Sequence, residues 1–147
     1  VHGFKQYEVS AFSKTDMQSR HNLNYWRYGD YIGLGAGAHS KVSDHSGRLL
    51  RYRKSRMPKA YMTDRVSYRV GEEYVEKNAQ AFEFMMNALR LRDGVEENVF
   101  EQRTQLRLND IDAQLKDLRK EGLMLEHRIQ LSDKGFLFLN SVLERFL

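Results

Sequence analysis

The sequence has no cysteine and only one proline among its 147 residues. Without thiols, the chain itself supplies no disulfide, no thiolate metal site and no ligand for an iron–sulfur cluster. The single proline predicts few enforced breaks in the backbone. No apolar run is long enough for a transmembrane helix, and no secretory signal is recognisable. These absences fit a cytoplasmic protein. Because the chain begins at Val1, we expect a piece of something longer.

Positive charge is concentrated in the first half of the chain. Residues 1–70 contain 13 Lys and Arg against 5 Asp and Glu, whereas residues 71–147 contain 11 against 15. This asymmetry predicts two segments of different character. Six basic residues stand together without an acidic one: Arg48, Arg51, Arg53, Lys54, Arg56 and Lys59. Such a patch either binds a phosphate, a carboxylate-rich ligand or nucleic acid, or is a solvated strand that the acidic half balances.

The first segment has strand-like patterns. Residues 6–12 alternate apolar with polar side chains, which predicts a strand, and residues 22–28 favour one or two helical turns. Residues 31–38 read as a second strand with glycine at alternate positions, typical of a place where a ligand or another backbone comes close. Two strands cannot bury each other, so we expect them to be the last strands of a larger barrel.

A basic β segment follows. Residues 44–47 have the composition of a turn, and residues 48–55 read as a strand. A short helix is predicted to begin at Pro58, since proline is tolerated in a first helical turn. Residues 65–71 alternate again and predict a strand that stops at Gly71.

The second half is mostly helical. Asn78 and Gly94 are the expected start and stop signals of its first helix, and Gly122 is expected just after its third. The predicted elements are helices over 78–91, 96–104 and 110–121, short strands within 123–131, and one helix over 132–147. That order is the outline of a winged helix. The predicted class is therefore α+β: strands of a partial barrel in 1–45, the basic segment in 46–77 and a winged-helix-like domain in 78–147.

Two neighbouring stretches concentrate unusual residues. Residues 20–26 contain the only tryptophan, and residues 33–40 contain a dense run of glycine followed by histidine. These two stretches resemble motifs of the radical-SAM haem chaperones, a family long labelled oxygen-independent coproporphyrinogen III oxidase-like. Further matching motifs are residues 7–14, 82–91, 122–123 and 132–135. The resemblance runs in order along nearly the whole chain, and it is to the C-terminal part of that family.

The resemblance implies a haem-handling protein. The intact protein would hold a [4Fe–4S] cluster on a Cys-x3-Cys-x2-Cys motif and bind S-adenosylmethionine, both on a barrel portion absent here. The family motif His-Asn-x-x-Tyr-Trp, proposed to contribute to haem binding, corresponds to His21, Asn22, Tyr25 and Trp26. Haem or a porphyrin and an acceptor haem protein are the implied partners; the oligomeric state stays open. This chain alone is expected to catalyse nothing, because it lacks the cluster ligands.

Haem chemistry fits the first stretch. A protein holds haem with an axial ligand such as histidine, with aromatic stacking, and with cations for the propionates. The residues that offer these groups are His21, Tyr25, Trp26 and Tyr28, with Arg20 and Arg27 nearby. The hypothesis is that His21 ligates the iron or orients the porphyrin, Trp26 packs on the ring and an arginine meets a propionate. The alternative is that His21 and Asn22 tie down a loop while Trp26 fills a domain interface.

The glycine-rich stretch is predicted to face S-adenosylmethionine. By resemblance, Phe12 corresponds to an aromatic residue at the mouth of that site. Gly33, Gly35, Gly37 and His39 correspond to a strand beside the bound molecule. True coproporphyrinogen dehydrogenases have an aliphatic residue where this chain has His39. The alternative for His39 is a structural histidine bonded to a backbone carbonyl.

Two functions from different classes remain. One is a haem carrier that passes haem to an apo-protein; the other is a radical-SAM enzyme that decarboxylates coproporphyrinogen III. The His-Asn-x-x-Tyr-Trp motif favours the carrier, because the dehydrogenases lack it. A winged helix also binds DNA in other proteins, but the mixed charges of residues 114–121 and the net negative second half argue against nucleic acid. A lid or partner-docking role fits that half better.

Overall fold

The computed structural model describes residues 2–63 and 68–147. Its strands are β1 (Lys5–Glu8), β2 (Ala11–Ser13), β3 (His39–Ser43), β4 (Leu49–Lys54), β5 (Arg69–Tyr74), β6 (Val95–Glu96) and β7 (Arg128–Ile129). Its α-helices are α1 (Arg20–Trp26), α2 (Pro58–Thr63), α3 (Gln80–Ala88), α4 (Glu97–Arg103), α5 (Asp112–Lys120), α6 (Asp133–Leu137) and α7 (Leu139–Leu143). Short 3-10 turns occur at Lys77–Ala79, Leu108–Ile111 and Glu144–Phe146. The predicted mixture of helices and strands is confirmed.

The chain divides into two compact units. The helical unit consists of Val1–Gly29 with Lys77–Leu147, and the sheet unit consists of Asp30–Glu76. The haem-contact candidates all belong to the helical unit, whereas the glycine run belongs to the sheet unit. Within residues 2–63 and 68–147, no helix is long and apolar enough to cross a membrane.

The core of the helical unit is built from the apolar stripes of its helices. Phe84 of α3 and Phe100 of α4 are completely buried, with ring centroids 5.1 Å apart and planes perpendicular. Leu118 of α5, Ile129 of β7 and Val142 of α7 complete the same core. Burial of these side chains, each stabilising by about 1.5–3 kcal/mol relative to exposure, holds the unit together.

Several predicted helix ends need correction. The first helix of this half begins at Gln80 rather than Asn78, because a 3-10 turn precedes it and Ala79 takes the N-cap position without a side-chain bond. It ends at Ala88, so Gly94 does not stop it. Gly122 stands just after α5 as predicted, and its N–H donates to the Arg119 carbonyl at 2.9 Å.

The C-terminal stretch is not one helix. Ser132 caps α6, with its Oγ accepting from Gly135 N at 3.0 Å. Phe138 then leaves helical geometry, with φ −109° and ψ 27°, and separates α6 from α7. A side chain at Gly135 would place its Cβ 1.9 Å from the Leu123 carbonyl oxygen. The closeness of that backbone shows that tertiary packing, which the apolar stripe does not reveal, shapes this stretch.

The strand predicted over residues 6–12 folds instead as the β1–β2 hairpin. Gln6 pairs with Phe12, and the register shifts between Gln6 and Glu8. The reason lies far along the chain: Val9 N donates to Arg90 O at 3.1 Å, and Arg92 N donates to Tyr7 O at 3.0 Å. Backbone groups of residues 90–92 therefore satisfy part of the hairpin, which a single extended strand would not allow.

The sheet unit contains an antiparallel sheet in the order β3–β4–β5. The predicted strand after the turn at 44–47 and the helix beginning at Pro58 are confirmed as β4 and α2. The predicted stop at Gly71 is wrong, because β5 continues through it to Tyr74. Gly71 has φ +74° at a register shift, so it forms a bulge rather than an end. The predicted residues 65–67 lie outside the described part.

Candidate functional site

The first candidate site is carried by α1, a helix with well-defined ends. Ser19 is its N-cap, and the Ser19 Oγ accepts from Asn22 N at 3.3 Å. At the other end, Tyr28 N donates to Tyr25 O at 2.9 Å and Gly29 N donates to Asn24 O at 2.8 Å. These two bonds form a Schellman ending, which satisfies carbonyls that the helix leaves free. Local hydrogen bonding therefore holds this short helix.

The His-Asn-x-x-Tyr-Trp motif divides into two pairs, each made of residues four positions apart. Residues four apart share a helix face, so His21 lies over Tyr25 and Asn22 lies over Trp26. His21 is exposed, and its ring meets the Tyr25 ring edge-on at 4.8 Å between centroids. This outward pair places the exposed His21 imidazole beside the half-buried Tyr25 ring.

The inward pair is tied to other elements of the helical unit. Asn22 Nδ2 donates to Tyr7 Oη of β1 at 3.2 Å. The Arg90 guanidinium lies over the Trp26 ring, with its carbon 4.5 Å from the centroid. The hydrogen bond to Tyr7 matches the alternative that Asn22 holds its segment in place. Among the described residues, the His21 side chain makes no hydrogen bond of this kind. Trp26 therefore has Arg90 over one face of its ring and cannot offer both faces to a ligand.

Tyr28 is not available for ligand contact. Its side chain is only 2% exposed, and its Oη donates to Glu83 Oε2 of α3 at 2.6 Å. Its φ of 55° lies in the left-handed region, which costs a non-glycine residue about 1–2 kcal/mol. Burial of the ring against Phe84 offsets this cost. Tyr28 therefore anchors the end of α1.

The two predicted arginines differ in their surroundings. Arg20 is exposed at the start of α1, and Arg27 is exposed just after its end. Arg27 borders a cavity of about 110 Å³ together with Leu23, Asp93 and other residues of the helical unit. Binding pockets for small molecules typically measure about 300–1,000 Å³. A porphyrin would therefore lie against the surface here rather than inside a pocket.

The glycine-rich stretch does not form the predicted strand. Residues 32–38 lack strand geometry; Tyr31 makes only an isolated bridge to Lys41, and β3 starts at His39. Gly35 and Gly37 have φ of +96° and +72°, so the segment turns. A Cβ at Gly33 would lie 2.2 Å from the His39 carbonyl oxygen. The expected close approach of a backbone is real at Gly33, but the neighbour is the chain's own.

His39 lies at the start of β3, opposite Arg53 of β4. Both border an open cavity of about 490 Å³ on the sheet unit, whose further lining residues include Tyr31, Tyr52 and Glu72. Within the described ranges, the His39 imidazole makes no hydrogen bond, so the alternative of a carbonyl-tied histidine finds no support. Phe12 is 63% exposed on β2 of the helical unit.

The basic patch is partly balanced within the sheet unit. Arg51 pairs in register with Glu73, and Arg48 contacts Asp44 at 3.0 Å. The hydrogen bond from the Ser46 hydroxyl is the main cause that lowers the pKa of the Asp44 carboxyl well below its usual range. Further bonds from Ser46 and Arg48 act in the same direction. Acidic partners thus stand beside Arg48 and Arg51, which supports the alternative of a solvated basic strand whose charge is balanced.

Thiolate ligation is impossible, because the sequence contains no cysteine. Among the residues that the structure describes, no group of three or more His, Asp or Glu side chains is arranged to hold a metal ion. Sequence reasoning missed the three residues that contact the inward face and the end of α1: Tyr7, Arg90 and Glu83. They lie up to 64 positions from α1's Trp26 in the chain, so no local pattern connects them to it.

The second half of the chain contains a match to a known domain family. Residues 75–138 match the HemN C-terminal domain. Over 98% of its length the chain resembles the structure of coproporphyrinogen III oxidase (HemN) from Escherichia coli, described as a radical SAM enzyme, with a TM-score of 0.61 and 16% identity. At that identity the likeness establishes the fold alone. This chain covers 37% of that protein.

The full-length sequence relatives point to a narrower group. The chain is 44% identical over 147 residues to the heme chaperone HemW of Escherichia coli and 40% identical over 147 residues to that of Haemophilus influenzae. Each match covers 99% of this chain and 38% of the relative. The chain is thus similar over nearly its whole length to heme chaperones, and it spans under half of their length. The resemblance to haem chaperones that the sequence motifs predicted is confirmed.

Proposed function

We propose that this chain is part of a haem chaperone that binds haem as cargo and passes it to an apo-protein. The observation that carries the proposal is an exposed His21 on the outward face of α1, in a chain 44% identical to a curated heme chaperone. Because histidine is a common axial ligand of haem iron, an exposed one provides a contact point for the cargo. The acceptor would be a haem protein.

The remaining motif residues take different roles in this proposal. Tyr25 extends the contact surface beside His21, and Arg20 and Arg27 are cations within reach of the propionates of a surface-bound porphyrin. Asn22 and Trp26 hold α1 in place from its inner side. Asn22 does so through Tyr7, and Trp26 through Arg90. Packing of Trp26 on the haem ring stays a prediction, because Arg90 lies over the indole and a stack needs only one ring face.

Surface exposure suits a carrier. A resident cofactor is normally enclosed so that most of its area is buried, and the cavity beside α1 measures only about 110 Å³. A porphyrin held on the outer face of α1 would stay accessible to an acceptor and would dissociate readily. The proposal therefore predicts weak, exchangeable binding to this chain.

The cluster and S-adenosylmethionine belong to the intact protein in this proposal. No residue of this chain fits a thiolate-ligated [4Fe–4S] cluster, because cysteine is absent. We assign Phe12, Gly33, Gly35, Gly37 and His39 to the S-adenosylmethionine side. The exposure of Phe12 and the open cavity beside His39 support that assignment. A cytoplasmic location is part of the same proposal.

The finer architecture is proposed as well. Residues 1–45 would contribute the last strands of a partial (β/α) barrel, and residues 46–77 would connect them to the C-terminal domain. Strand β6 lies between α3 and α4, and it pairs antiparallel with β7, which follows α5; α6 and α7 come last. This order supports a winged-helix-like domain over residues 78–147.

Nucleic acid is not the proposed partner. On α5, Lys116 contacts Asp112 at 2.5 Å, and Arg119 is only 15% exposed and contacts Glu97 of α4 at 2.5 Å. Cations that are already paired contribute little to phosphate binding, which depends on displacing counterions. The alternative enzymatic function, oxidation of coproporphyrinogen III, has the fold likeness behind it. Formation of protoporphyrinogen by the intact protein under anaerobic conditions would favour that alternative.

Haemin titration tests the proposal directly. Haemin is added to the chain and to His21→Ala, and the Soret band is followed. We expect His21→Ala to weaken binding by about tenfold or more and to change the Soret position, because a ligand to iron is lost. His45→Ala, which removes an exposed histidine of the sheet unit, is the matched control and should behave as wild type. Equal affinity and spectra for all three proteins would refute His21 as the ligand.

A further inference from the structure

Three charged and aromatic residues meet behind α1, although they come from different parts of the chain. Glu8 belongs to β1, Trp26 ends α1, and Arg90 follows α3. Arg90 stacks on the Trp26 ring at 4.5 Å, and its Nη2 lies 3.6 Å from Glu8 Oε2. Glu8 is only 3% exposed, so its carboxylate is almost fully removed from water.

This cluster is energetically demanding. Glu8 Oε2, Arg90 Nε and Trp26 Nε1 are buried and make no hydrogen bond within the described residues. A separation of 3.6 Å between Arg90 and Glu8 allows attraction but is too long for a hydrogen bond. Burying an ion pair with unsatisfied atoms is a poor way to stabilise a fold, since desolvation offsets the attraction. Such a cluster is better explained by the geometry that it imposes.

The imposed geometry concerns the face of α1. Backbone bonds from Val9 N to Arg90 O and from Arg92 N to Tyr7 O fix the segment of Arg90 against β1. The planar guanidinium, held by Glu8, then determines where the Trp26 ring can lie. Because Trp26 and His21 belong to the same two-turn helix, a rotation of α1 that moves the Trp26 ring also moves the His21 ring.

We propose that Arg90, held by Glu8, is a positioning residue that fixes Trp26 and thereby directs His21 and Tyr25 outward. Its haem-related consequence rests on the proposed function, whereas its effect on Trp26 does not. Loss of Arg90 releases the indole and lets α1 turn, so the outward pair no longer faces the cargo together. Arg90 acts only through α1 and does not touch the cargo.

The sole tryptophan makes the cluster directly observable. Tryptophan emission of the 147-residue chain, excited at a wavelength that tyrosine does not absorb, reports Trp26 alone. We expect Arg90→Met to shift the emission to longer wavelength and to increase quenching by acrylamide. Glu8→Gln, which is isosteric and spares the fold, should produce a smaller change of the same sign. Arg90→Lys should not restore the wild-type signal, because an ammonium lacks the planar fork.

Arg92 provides a matched control. It lies two positions away, stacks on the Phe136 ring at 4.3 Å and contacts Asp133 at 2.5 Å, so it makes the same kinds of contact away from α1. Arg92→Met should leave Trp26 emission and haemin affinity unchanged. If it changes Trp26 as strongly as Arg90→Met, the cluster has no special role and the proposal is wrong.

A coupling measurement separates positioning from general destabilisation. Arg90→Met should weaken haemin binding about tenfold in the wild-type background. In the His21→Ala background it should have almost no further effect, because Arg90 acts through the face that carries His21. Full additivity of the two losses, or unchanged affinity despite altered fluorescence, overturns the proposal. If wild type binds no haemin, the proposed function fails, and the fluorescence of the Glu8 and Arg90 variants alone decides whether they hold Trp26.

Discussion

The two candidate regions use opposite means to shape a surface. On α1, the helical period divides side chains into an exposed face with His21 and a tied face with Trp26, and the tie comes from distant Arg90. In residues 33–39, the glycines have no side chains, so the backbone itself determines the shape of the surface. Gly33 there lies against the backbone of His39. The side-chain surface of α1 thus tolerates substitutions on its exposed face. The loop at residues 33–39, which is shaped by backbone, tolerates almost no added side chain at its contact points.

The largest expected effect is at Gly33. Gly33→Ala places a Cβ 2.2 Å from the backbone oxygen of His39, so β3 or the loop must move. We expect the sheet unit to lose about 1–3 kcal/mol of stability, the usual cost of overpacking. Hydrogen exchange of the β3 and β4 amides measures it. Gly35→Ala, with no neighbour near its added Cβ, should cost only the strain of its positive φ, about 1 kcal/mol. Equal costs at both positions would contradict the backbone-contact explanation.

A somewhat smaller effect is expected at the end of α1. Tyr28→Phe removes the donor to Glu83 at 2.6 Å and leaves a carboxylate oxygen without that partner. The helical unit should lose about 0.5–1.5 kcal/mol in denaturant unfolding followed by Trp26 fluorescence. Tyr61→Phe, in the sheet unit, should change stability by less than about 0.5 kcal/mol. An unaffected Tyr28→Phe would mean that side-chain ties do not hold α1, and the contrast between the two regions would fail.

The smallest effect concerns the turn between β3 and β4. Hydrogen bonds from Ser46 and Arg48 favour ionised Asp44 and lower its pKa. Because the folded pKa is lowered, its stabilising contribution is present above the pKa of the unfolded chain and is lost as the pH falls through the folded pKa. Ser46→Ala removes the largest cause, so the Asp44 pKa should rise toward its usual value. Carboxyl chemical shifts in an acid titration measure this, and an unchanged titration would contradict the assigned cause.

Local patterns predicted the elements well where neighbours along the chain decide. The strand β4, the helix beginning at Pro58 and the Gly122 ending all depend on residues within a few positions. The His-Asn-x-x-Tyr-Trp spacing likewise already implied two faces on one helix. Where distant backbone intervenes, the patterns were wrong: the strand over residues 6–12 became a hairpin because the segment of Arg90 bonds to it.

The sequence by itself determined the resemblance to haem chaperones, the charge asymmetry, the lack of cluster ligands and the position of the one tryptophan. Only the tertiary structure decided which motif residues face outward, that Tyr28 is buried, and that Glu8 and Arg90 meet behind Trp26. The physical reason is that helix and turn signals are short-range, whereas burial and ion pairing join residues whose separation along the chain has no bearing on their distance in space.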